Sequence, residues 1–177
     1  DRANPINVLC RMISKVTDAD GRITVPGFYD DVEEVPQAER EMIARIPFDE
    51  EKYKKAIGVN ALFGEKGYST LERKSCRPSF DVCGIWGGYT GPATKTIVPY
   101  HATCKVDVRL VPNMRPEETL AKIRKHLDDH GYSDIELITR QGTPYSKVDA
   151  GSAIARACIS AMEQSGYPEN TVWPIFP

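Results

Sequence analysis

Residues 84–112 read GIWGGYTGPATKTIVPYHATCKVDVRLVP, and the second half of this stretch decides the fold. From 101 to 111 the residues alternate, with Ala102, Cys104, Val106, Val108 and Leu110 on one side and His101, Thr103, Lys105, Asp107 and Arg109 on the other. Period-two alternation of this length predicts a strand with one face on a core and the other in water. Arg109 is the member of the polar row suited to an anion, because a planar guanidinium can pair a carboxylate through two parallel hydrogen bonds. The first half is a loop containing Gly87, Gly88, Gly91 and Pro92 that runs into Lys95 and Thr96. That composition by itself predicts only a turn.

Working outward, residues 78–86 read as a second strand, and Pro112 stops the strand that follows the loop. Pro116, Glu117 and Glu118 start a helix with acids in its first turn; Leu120, Ile123 and Leu127 form its apolar stripe, and Gly131 ends it. Residues 135–139 alternate as a last strand, and 152–165 form a helix with Ile154, Ala157, Cys158, Ala161 and Met162 on one side. At the start of the chain, Asn4 caps a helix with Pro5 in its first position, and Ile6, Leu9, Ile13 and Val16 recur at helical spacing. Residues 17–75 form a long excursion: a short strand at 22–25, an acidic run at 30–34, helices at 36–46 and 49–57, and a helical turn at 70–74. Excursions of this length are usually functional or contact another part of the protein.

Without the excursion, the order is helix, strand, strand, helix, strand. One strand in front would complete the βαββαβ pattern. The expected fold class is α+β, a ferredoxin-like two-layer sandwich with an antiparallel sheet, helices on one face and its first strand missing. In that order the first strand lies inside the sheet, so its absence leaves the last strand without its usual neighbour.

Composition narrows the function classes. The 177 residues carry 23 Lys and Arg against 25 Asp and Glu, a net charge of −2 with no basic block, which argues against nucleic acid as partner. No apolar run is long enough to span a membrane, and no signal peptide is visible, so no membrane partner is expected and the cytoplasm is the expected location. The five cysteines are scattered and unpaired in spacing, consistent with buried reduced thiols. His126 and His130 in HLDDH stand four apart at the end of a helix, where structural or solvent roles outweigh zinc ligation. No nucleophile motif or phosphate loop occurs, so the residues supply a binding face and no catalytic centre.

Residues 84–123 closely resemble the lid, or dimerisation, domain of the family-20 zinc metallopeptidases, the group of cytosolic nonspecific dipeptidases, carnosinases, aminoacylases and glutamate carboxypeptidase. The resemblance is carried by Thr94-Lys95-Thr96-Ile97-Val98-Pro99 and by Arg109-Leu110-Val111-Pro112-Asn113-Met114. It is best to the dipeptidase branch, where NPINVLCRMI (4–13) and GRITVPGFYDDV (21–32) also have counterparts, so it spans essentially the whole chain.

The resemblance implies a two-domain homodimeric enzyme whose catalytic domain binds two zinc ions and uses a Glu as general base. Lid residues of one subunit would reach the other's active site. By position, Thr96 and Arg109 are the implied substrate-binding residues, with Arg109 on the C-terminal carboxylate of a small peptide or N-acyl amino acid. The family's lid His, its zinc ligands and its G-G-S-I-P element have no match in these residues. The expectation is therefore residues 1–148 as lid, 149–177 as the start of a returning catalytic domain, and no activity, catalytic residue or metal in the chain alone. Two other readings stay open: a stand-alone ferredoxin-like regulatory module that binds a small ligand, and an RNA-binding sandwich.

Overall fold

In the computed structural model, residues 3–140 and 142–166 are described. They form helices α1 (Pro5–Ile13), α2 (Gln37–Ala44), α3 (Glu50–Ile57), α4 (Thr70–Cys76), α5 (Pro116–Asp129) and α6 (Ala153–Gln164), and strands β1 (Ser79–Gly87) and β2 (Ala102–Arg109). Helix α1 begins where its cap dictates: the Asn4 side chain accepts from the Ile6 amide at 3.0 Å, satisfying one of the free donors of the first turn. Helix α4 begins with a reciprocal pair. The Ser69 hydroxyl accepts from the Glu72 amide and the Glu72 carboxylate accepts from the Ser69 amide.

The architecture is an α+β two-layer sandwich, with β1 and β2 antiparallel in a two-stranded sheet. Leu9 and Met12 of α1 and Ile123 and Leu127 of α5 are buried against Phe80, Ala102, Cys104 and Val108 of the sheet, so both helices cover the same face. Ile23, Val25 and Phe28, from the first part of the excursion, complete that core. Full burial of one such side chain contributes roughly 1.5–3 kcal/mol. The rest of the excursion builds a second core of Val35, Ile43, Leu71 and Cys76, against which Tyr145 packs from the segment after α5. The acidic run is tied to the rest of the fold: the Lys122 ammonium donates to Asp31 at 2.7 Å and the Asn113 amide donates to Glu33 at 2.7 Å.

Several expectations are corrected. Residues 135–139 are not a strand, although Ile135 packs on the main core and Arg124 donates to the Ile135 and Tyr132 carbonyls. A strand needs a hydrogen-bonded neighbour, and in the βαββαβ order that neighbour is the first strand, which the described residues do not include. Ile138 is left 83% exposed. The strand expected at 22–25 is reduced to a single bridge between Thr17 and Ile23.

His126 is not on a solvated turn. It is buried, with Nε2 2.7 Å from the Lys15 carbonyl oxygen, and so joins α5 to the end of α1. Of the cysteines, only Cys76 is buried and Cys104 half-buried, whereas Cys10, Cys83 and Cys158 are exposed; all five are free thiols. The apolar side of α6 has no buried member, and Ile154 and Met162 face solvent.

Candidate substrate-binding face

The face is built by the β1–β2 hairpin. Register pairs Ser79 with Arg109, Asp81 with Asp107 and Val82 with Val106, then skips Cys83 and resumes with Gly84 opposite Lys105 and Ile85 opposite Cys104. Directly opposed residues share a face. The extra residue at Cys83 is a β-bulge, which flips the phase of the strand. Without it Ile85 would point to water; with it Ile85 joins Cys104 on the helix side, and Trp86 turns outward beside Thr103. The sequence carried a signal for this: apolar residues fall at Phe80 and Val82, then at Ile85, a change of parity within one strand.

The open face therefore presents Ser79, Asp81, Trp86, Thr103, Lys105, Asp107 and Arg109. The Lys105 ammonium sits 5.6 Å from the Trp86 ring centre, a cation–π contact that fixes one end of the row. At the other end, Arg109 is more than half exposed, and its Nε lies 3.8 Å from the Asp107 carboxylate. That pair is long and wet, so it holds the guanidinium only loosely. Asp81 is turned to Ser79, whose hydroxyl donates to it at 2.6 Å. On the opposite, helix-covered face, burial pushes the Cys104 thiol above its ordinary pKa, which keeps it protonated and unreactive.

Thr96 lies in the exposed loop between the strands, and the Ile97 amide donates to the Lys95 carbonyl at 2.9 Å. This closes a three-residue turn with Thr96 at its apex. The loop is anchored at the β1 end by Pro99, which is buried beside Gly88. Arg109 is at the far end of β2, seven residues from Ala102, or about 23 Å at ~3.3 Å per residue. The three residues from Thr96 to Pro99 reach at most ~11 Å. The anchor of the Thr96 loop and Arg109 therefore lie at opposite ends of β2.

The two histidines of HLDDH are committed elsewhere. His126 contacts the Lys15 carbonyl, and His130 Nδ1 lies 2.8 Å from the His126 carbonyl oxygen. Among the described residues, no group of three or more His, Cys, Asp or Glu is arranged to hold a metal ion. No described helix is long and apolar enough to cross a membrane.

Among the described residues, the chain is an α+β layer with one open polar sheet face, no metal cluster and an unpaired strand edge. The chain belongs to the peptidase dimerisation domain family, whose model matches residues 1–135. It is similar to the Beta-Ala-His dipeptidase of Rattus norvegicus, 31% identical over 70% of this chain and 25% of that protein. It is also similar to the Cys-Gly metallodipeptidase of Saccharomyces cerevisiae, 25% identical over 71% of this chain and 26% of that protein. The chain spans about a quarter of the length of these curated relatives. Among solved structures, the M20 family metallo-carboxypeptidase Sso-CP2 of Sulfolobus solfataricus superposes with a TM-score of 0.86 at 34% identity, over 99% of this chain and 40% of that one. Human carnosine dipeptidase 1 superposes at 0.65 with 27% identity, over 74% of this chain and 28% of that one.

Proposed function

We propose that the chain is the lid and dimerisation part of a metal-dependent, dipeptidase-like hydrolase. In this reading Arg109 takes the C-terminal carboxylate of a small peptide or N-acyl amino acid. Residues 1–148 are the lid, with 17–75 as its excursion, and residues from 149 onward begin the returning catalytic domain. Two zinc ions and the general base belong to that domain, so the chain alone is inactive. The assembled enzyme is a cytoplasmic homodimer.

The observation that carries the reading is Arg109 itself, a half-exposed guanidinium at the end of a strand held by ladder pairing, with the Asp107 carboxylate of the same strand a distant 3.8 Å away. Thr96 and Arg109 reach the active site of the partner copy and hold the substrate there. The edge of β1 left unpaired among the described residues, with Val82 and Ile85 partly or half exposed beside it, is the surface for the second copy.

The test uses the full-length enzyme. Arg109→Ala should raise KM for a dipeptide about tenfold to a hundredfold, the loss of a charged hydrogen bond. Amidating the substrate's C-terminus should do the same to the natural enzyme and add little to the variant. A variant that still distinguishes acid from amide as the natural enzyme does would remove Arg109 from this role.

A further inference from the structure

Residues 88–98 are all exposed, so the loop that carries Thr96 owes its shape mainly to contacts within itself. Those contacts centre on Tyr89. Its hydroxyl donates to the Pro92 carbonyl at 3.0 Å, spanning the tip of the loop. The hydroxyl end of its ring lies against Gly91, where any Cβ would stand 2.6 Å from the ring carbon Cζ, closer than real Cβ contacts come. Only glycine admits the ring at that place. Ala93 then takes φ 62°, a left-handed conformation that a residue with a Cβ avoids unless its surroundings impose it. The Lys95 ammonium returns to the same ring, 5.7 Å from its centre, and the next residue is the apex of the Lys95–Ile97 turn.

We propose that Tyr89 is a positioning residue: its hydroxyl and ring close residues 89–95 into one unit and thereby set the turn that presents Thr96. This deepens the reading of Thr96 as a substrate contact and rests on it. The hydroxyl, Gly91 and Lys95 act as one device, because each meets the same ring. A loop closed in advance loses less conformational freedom when substrate arrives, so the effect falls on binding.

The experiment measures hydrogen–deuterium exchange over residues 89–98 and steady-state kinetics on a dipeptide, in the full-length enzyme, for Tyr89→Phe, Gly91→Ala and Thr96→Ala. Tyr89→Phe keeps the ring and removes one hydrogen bond. It should speed exchange in the loop about threefold to tenfold and raise KM by a similar factor, with kcat and the urea midpoint little changed. Gly91→Ala, which displaces the ring, should act in the same direction and further. The proposal is overturned if Tyr89→Phe leaves loop exchange and KM at their natural values in an enzyme whose KM rises with Thr96→Ala. If Thr96→Ala leaves KM unchanged while Tyr89→Phe still speeds exchange, Thr96 loses its substrate role and the Tyr89 closure is upheld.

Discussion

Arg77 is the side chain whose removal should most damage the attachment of the excursion to the sheet. It sits just before β1 with only 8% of its side chain exposed, and donates from Nε and Nη2 to the two oxygens of Glu65, both at 2.8 Å. Its guanidinium is also 4.9 Å from the Tyr29 ring centre and 4.5 Å from that of Tyr68. Arg77→Ala strips this fork from a carboxylate that is itself only 12% exposed. Removing one partner of a buried pair costs about 3–5 kcal/mol. Glu65 keeps a second partner in Arg22, at 2.5 Å and half exposed, which lowers the expected loss to about 2–3 kcal/mol. For a chain of this size that is a fall in Tm of about 5–10 °C.

Urea titration of Arg77→Ala, Glu65→Gln and the double variant isolates the pairwise energy. It should come out at about 2 kcal/mol, since the residues touch directly. Lys125→Ala, from an exposed pair with Asp129, should leave the midpoint unchanged. A pairwise energy below about 0.5 kcal/mol would refute the claim that this pair fastens the excursion to the hairpin.

Three further outcomes are expected. Val82→Lys should shift the proposed dimer to monomer in light scattering across a dilution series while the fold survives, because Val82 is 38% exposed on the strand left at the edge among the described residues; an unchanged dissociation constant would remove β1 from the interface. Phe80→Asp is a poorer probe of the same edge, since Phe80 packs on the main core and its loss would unfold the sheet. His126→Leu removes the bond between α5 and the Lys15 carbonyl, and should lower stability by about 1–2 kcal/mol in urea, with no change if the contact is incidental. Burial raises the Cys76 thiol from its ordinary 9.0 to about 11, so the folded state holds this proton more tightly than the unfolded chain. Stability from this group is therefore complete below about pH 9 and lost as pH rises through about 11. Cys76→Ala should flatten that alkaline decline in pH-dependent melts, beyond whatever Tyr29 and Tyr145 contribute, since burial raises both of them as well.

Much of the fold was legible because its signals are short-range. The Asn4 cap, the alternation along β2 and the Ile123 and Leu127 stripe of α5 each depend on neighbours within a few residues, and each appears where the pattern put it. Arg109 was legible as an exposed member of the polar row for the same reason. Residues 135–139 failed as a strand because alternation reports a pleat's preference for one wet face, whereas a strand exists only when a neighbour supplies its hydrogen bonds.

By itself, then, the sequence determined which segments are helical, which strand carries the polar row, and that Thr96 and Arg109 lie on either side of one hairpin limb. Tertiary structure alone decided how those parts work. The bulge at Cys83 set which residues of β1 share the face with Arg109, because register depends on two strands at once. Packing of α5 on the end of α1 turned His126 from an apparent solvent residue into a buried tie. The length of β2 set Arg109 about 23 Å from the strand's Ala102 end, since spacing along a sequence becomes distance only once the chain between is known to be straight.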